Sequence, residues 1–220
     1  MAEDLRTTKP HRRGITAGLR GKASPAAMHV LMVTYQGADL PSVAKEAELL
    51  RETWGSNVTI LETSFAAKSE VLARLADRWD LIHFAGHGTF DGQDPWNSAL
   101  HLTADPQSDS QRVTASDLLE VRLPQSPVVV LSACSSALAG GGPLNDAAGL
   151  VGALLRIGAR GIVASRWPVY DQTALAFMKL FHSAVRRGTS AQASVREAQN
   201  ALRSERGVED WAAFSYIGAP

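Results

Sequence analysis

The chain contains a single cysteine, Cys134, and a histidine, His87, held between two glycines in the string Ala85-Gly86-His87-Gly88. A thiolate is a strong nucleophile near neutral pH, and an imidazole beside it can take the thiol proton and later protonate a leaving amine. Together the two residue types suit acyl transfer through a thioester, provided that the fold joins positions 87 and 134. The glycines around His87 allow close approach of a substrate backbone, and the backbone N–H groups of Gly88 and Cys134 are the candidates for an oxyanion hole. A bland reading stands beside this one, because an unpaired cysteine is among the most often buried residue types. His83 and His87 also have HxxxH spacing. Four residues of strand span about 13 Å, too far for two imidazoles on one zinc, so no metal site is expected and His83 is expected to orient the site or pack beneath it. The Gly140-Gly141-Gly142 run lacks the Gly-Lys-Ser/Thr of a phosphate loop, and no cofactor is expected.

The elements that must position these residues alternate in type. Strand patterns are read at Met28–Tyr35, Val58–Leu61, Asp80–Phe84, Ala99–Leu102, Pro127–Leu131, Gly161–Ser165 and Trp211–Ile217. Helical spacing is read at Pro41–Trp54, Ser69–Trp79, Thr114–Val121, Asn145–Ile157, Asp171–Arg187 and Ser190–Glu205. Thr114 and Asn145 serve as N-caps, and Gly158 as a helix stop. Strands separated by helices need crossover connections, which predicts an α/β fold with a mainly parallel sheet covered on both faces. In such sheets reactive residues gather beyond the carboxyl ends of the strands. His87 follows the third strand, and Cys134, preceded by the small Ala133, follows Pro127–Leu131. If those strands are neighbours, about 4.8 Å separates them and the two side chains meet at one rim.

Composition sets the outer bounds. The 220 residues fit one large domain, and 22 basic against 22 acidic residues give no general electrostatic reason for a nucleic acid or membrane partner. With 45% hydrophobic residues and no apolar run of membrane length, a soluble, cytoplasmic globular protein is expected. One cysteine excludes an internal disulfide. Residues 1–25 differ from the rest, with Arg6, Lys9, Arg12, Arg13, Arg20 and Lys22 against only Glu3 and Asp4. They are read as a disordered basic arm ahead of one domain at 28–218.

Several separated motifs carry a family resemblance. LIHFAGHG at Leu81–Gly88 with Phe90-Asp91, VTASDLL at Val113–Leu119, VVVLSAC at Val128–Cys134, GLVGALLRIGARGIVASRWPV at Gly149–Val169, SVREAQNAL within Ser190–Leu202 and WAAFSYIG at Trp211–Gly218 together resemble the CHAT domain, a caspase-like cysteine peptidase group related to separase. The 47 residues from His87 to Cys134 are close to the roughly 50 by which a caspase His precedes its Cys. The resemblance implies a three-layer, caspase-like α/β/α sandwich with His87 as acid and base, Cys134 as nucleophile, and Gly86 and Ala133 in support. It also implies a protein or peptide substrate. Asp171, in WPVYD, matches an acid that in separases helps to recognise a basic P1 residue, so it either lines a pocket for Arg or Lys or caps the helix running to Arg187.

Three departures are visible. Ser135-Ser136-Ala137 stands where many relatives have Glu-Thr-Gly, Tyr170 replaces an acid beside Asp171, and no helical repeat of about 34 residues fits ahead of Met28. The last points to an activating or repeat-containing regulatory protein. A catalytically silent interaction domain, or a small-molecule hydrolase using the same pair, is the alternative to an endopeptidase.

Overall fold

A computed structural model describes residues 27–35, 37–63, 68–103, 109–134 and 149–219. The basic arm, the Ser135-Ser136-Ala137 segment, the Gly140–Gly142 turn and the Asn145 cap lie outside these residues.

Short runs of aliphatic residues form the strands, and alternation within each run divides the core in two. The elements are β1 (Val30–Thr34), α1 (Ser42–Trp54), β2 (Val58–Glu62), α2 (Lys68–Leu75), β3 (Leu81–Thr89), β4 (Ala99–His101), β5 (Arg112–Thr114), α3 (Ala115–Leu118), β6 (Val128–Cys134), α4 (Gly149–Arg156), β7 (Gly161–Ser165), α5 (Asp171–Arg186), α6 (Ala191–Arg203), α7 (Val208–Trp211) and β8 (Phe214–Gly218). Leu31, Val33, Ile82, Phe84, Val129 and Leu131 face one core, which α2, α3 and α4 cover with side chains such as Leu75, Leu118 and Leu154. Val30, Met32, Leu81, Val128 and Val130 face the other, which α1, α5 and α6 cover with Leu50, Phe177, Phe181 and Leu202. The period of two along each strand thus gives the three-layer sandwich that the helix–strand alternation predicts.

The sheet order is β2-β1-β3-β6-β7-β8, with β4 pairing β3 and β5 pairing β4. Pairing is parallel from β2 across to β7. β8 closes the far edge antiparallel to β7, and β4 and β5 make an antiparallel extension beside the upper end of β3. β3 and β6 are therefore neighbours, as the rim hypothesis requires.

Several boundaries depart from the expected ones. β3 does not stop at Phe84: pairing with β6 as far as His87, then with β4 at Gly88 and Thr89, holds the Gly-rich stretch extended against its weak strand propensity. His87 is thus within the strand rather than beyond it, and Cys134 is the last residue of β6. α2 ends at Leu75, four residues early, and the Trp79 indole folds back to donate to the Arg74 carbonyl at 2.7 Å. Trp211 closes the short helix α7, so the last strand begins at Phe214. β5, three residues long, carries no pattern readable from sequence. Thr114 caps α3 as expected: its hydroxyl oxygen accepts the Asp117 N–H at 3.0 Å, and its own N–H donates to Asp117 Oδ2 at 2.8 Å. Gly158, at φ +114°, ends the turn after α4 in a conformation that favours glycine.

Candidate active site

The β3–β6 register sets Gly86 opposite Ala133 and His87 opposite Cys134. Adjacent strands lie about 4.8 Å apart, so the backbones of the two expected reactive residues face each other at the end of the parallel ladder. Gly88, one residue on, lies opposite Leu100 of β4. Gly86 serves a local need, because the β-carbon of Tyr35 occupies the space into which a side chain at position 86 would project. The glycine thus admits Tyr35 rather than a substrate backbone.

His87 has a partner that sequence alone does not suggest. Its Nε2 lies 2.6 Å from Oδ2 of Asp39, on the turn between β1 and α1. The Tyr35 hydroxyl donates to Oδ1 of the same carboxylate at 3.0 Å, and the Tyr35 ring meets the His87 ring edge-on with centroids 4.8 Å apart. The hydrogen bond from His87 holds Asp39 below the usual carboxylate range, while burial foremost, then the bond to Asp39, raises Tyr35. Asp39 is about half exposed and needs no other reason to be an acid. On the outer side His101 bonds Thr89, and burial first, then the nearby His87 and Arg112, lowers its pKa.

Beside this rim opens a small pocket between α1, β6, β7 and α5. Gly86, Ser132 and Ala133 line it next to the reactive strands, and Leu40, Val43, Val169, Ala174 and Phe214 make its apolar wall. Two carboxylates line it as well, Asp171 and Glu46. Asp171 is the first residue of α5 but does not cap that helix. Its Oδ2 accepts the Ser42 N–H at 2.9 Å, so the side chain tethers the first turn of α1.

Glu46 is buried, and its two oxygens have different partners. Ser132 Oγ lies 2.9 Å from Oε1, and His83 Nε2 lies 2.8 Å from Oε2. Behind Glu46 the chain of bonds continues through the core, from His83 Nδ1 to His182 Nε2 at 3.0 Å and from His182 Nδ1 to the Trp54 indole at 3.2 Å. Burial pushes Glu46 up to about 8, against the opposing pull of Ser132, and pushes His83 down to about 3. His182 falls well below its ordinary value, again by burial and then by its neighbour His83. His83 is thus fully buried, with both ring nitrogens engaged by protein groups.

The chain is similar to known proteins. The model of the CHAT domain matches residues 4–219. The chain belongs to the CHAT domain family. A curated relative is Tetratricopeptide repeat protein 28 of Mus musculus, 27% identical over 257 aligned positions; the match spans 98% of this chain but a tenth of the relative's length. The CHAT domain here also superposes on caspase-like cysteine peptidases. The Arg-specific cysteine proteinase gingipain R gives a TM-score of 0.61 at 11% identity over 90% of this chain and 47% of that one. The Saccharomyces cerevisiae separase–securin complex gives 0.62 at 16% over 89% of this chain and 12% of that one. These likenesses establish the fold. No helix among the described residues is long and apolar enough to cross a membrane.

Two of the site's acids were hidden in the CHAT sequence for different reasons. Asp39 sits in a turn with no periodic signal. Glu46, in contrast, leaves a trace: Val43, Ala47, Leu50 and Trp54 mark the apolar stripe of α1, and an acid falls within it.

Proposed function

We propose that this CHAT domain is a cysteine endopeptidase in which Cys134 is the nucleophile and His87 its acid and base. The observation that supports this most is the register of His87 opposite Cys134 with the Asp39 carboxylate on His87 Nε2. With Nε2–H donating its hydrogen bond to Asp39, Nδ1 is the basic nitrogen, and it takes the thiol proton as sulfur attacks the scissile carbonyl. Backbone N–H groups at Gly88 and Cys134 serve the oxyanion. The Nδ1 proton then passes to the leaving amine, and water, deprotonated by the same nitrogen, hydrolyses the thioester. Asp39 keeps the imidazole in the required tautomer and balances its charge when it is protonated.

The pocket beside the rim takes the P1 side chain, and Asp171 in its wall favours Arg or Lys. A protein is the substrate, in the reducing cytoplasm where a lone thiol stays free. The naming of the mouse relative for its tetratricopeptide repeats supports a repeat-bearing regulator for the domain. Full-length chain treated with a P1-Arg acyloxymethyl ketone is expected to gain one adduct, mapped to Cys134. Cys134→Ala is expected to abolish labelling and peptide turnover with its fold intact. Labelling elsewhere, or turnover that survives this substitution, would remove Cys134 from the role.

A further inference from the structure

The direction of the buried bond row is fixed at one end. The Trp54 indole can only donate, so His182 Nδ1 must accept and His182 Nε2 must carry the proton. His83 Nδ1 then accepts, and His83 Nε2–H donates to Oε2 of Glu46. A proton bound by Glu46 therefore cannot sit on Oε2. It belongs on Oε1, where the partner is Ser132 Oγ, a group able to donate to a carboxylate or accept from a carboxylic acid. Ser132 lines the pocket and His83 does not, so the titrating oxygen is the one on the pocket side.

We propose that Glu46 is a proton-linked specificity residue: it keeps a proton on Oε1 when an apolar side chain fills the pocket and yields that proton to solvent when an amidinium, guanidinium or ammonium group enters beside Asp171. This deepens the P1 reading given above and rests on it. The groups that face Glu46 are His83 from β3, the Ser132 hydroxyl from β6, Asp171 at the start of α5 and, behind His83, His182 of α5. None supplies a positive charge, since burial keeps both imidazoles neutral. Burial opposes ionisation of Glu46 most, and the Asp171 charge opposes it further. A bound cation interacts favourably with both carboxylates, so it binds the ionised form more tightly and must displace one proton. The apolar wall explains why the protonated form is not an empty option. With Glu46 neutral, the pocket keeps one charge at its margin, on Asp171, and suits an uncharged side chain. One site thus accepts two classes of P1 residue, selected by pH.

Benzamidine, which stays cationic throughout, is the probe. Its binding to full-length Cys134→Ala chain is followed by titration calorimetry from about pH 6 to about pH 9.5, in buffers of different ionisation heat. Affinity is expected to rise by up to about tenfold per pH unit and then level off near the value to which burial moves Glu46, with close to one proton released per ligand on the acidic side. Glu46→Gln is expected to bind without slope or proton release. Ser132→Ala, which loses the bond that favours the carboxylate, is expected to move the midpoint upward and carries the test if Glu46→Gln does not fold. Asp171→Asn is expected to weaken binding at every pH while proton release persists. Saturable binding with no pH slope and no released proton, indifference to Asp171→Asn, or no binding at any pH would each overturn the proposal. Because the thiol is absent from this experiment, its outcome is independent of whether Cys134 cleaves peptides, which the labelling experiment decides.

Discussion

Asp39 is the residue on which the peptidase reading can be tested most cleanly, because it is half exposed and contributes to the site without supporting the core. Asp39→Asn preserves shape but removes the charge that balances an imidazolium. The expected result is a fall of about 10²-fold or more in kcat against a peptide substrate, with KM within a few-fold and an unchanged melting temperature. Tyr35→Phe removes one donor to Asp39 and should cost only a few-fold in kcat. The facing positions of His87 and Cys134 on β3 and β6 were legible in the sequence because small residues flank each and strand patterns precede both. Asp39 was not, since a carboxylate in a turn acquires a partner only through the path of that turn. Glu46 could have been found as an acid on an apolar stripe, but a single such position does not say whether it meets a histidine, a hydroxyl or water.

At the scale of elements, the seam where α1 and α5 cross β3 is held by the bonds among Glu46, His83, His182 and Trp54. Buried hydrogen bonds contribute little net stability when made and cost more when one partner is deleted. Trp54→Phe retains most of the packing but strips His182 Nδ1 of its donor, and is expected to destabilise the chain by about 1–3 kcal/mol in urea unfolding. Leu50→Ala, on the same face of α1 and fully buried, should cost about 2–5 kcal/mol through its cavity. The strands and long helices of this seam were readable from periodicity. The length of β3 was not, because its last residues owe their extension to β6 and β4 rather than to their own propensity. The polarity of the seam was equally invisible, since two histidines 99 residues apart share no local pattern.

For the whole molecule, the same buried groups set a pH optimum for stability. Glu46 rises from 4.5 to about 8 on folding, so between those values the folded state holds the extra proton and stability falls as pH increases. His83 drops from 6.5 to about 3, so there the unfolded state holds the extra proton and stability rises with pH. His182 shifts in the same direction as His83. The combined profile climbs from about pH 3 toward pH 6.5 and declines from there to about pH 8. Melting curves across this range should show the decline, and Glu46→Gln should flatten it while leaving the acidic limb in place.

The tether from Asp171 to Ser42 joins positions 129 residues apart, and Trp54 reaches His182 across 128. On a growing nascent polypeptide, β1 and α1 must wait for α5 before the pocket has its second wall and before Glu46 and His83 lose their contact with water. The cleft is thus among the last parts of the molecule to be completed during biosynthesis, and a chain interrupted before α5 leaves the translation machinery with no shaped seat for a side chain.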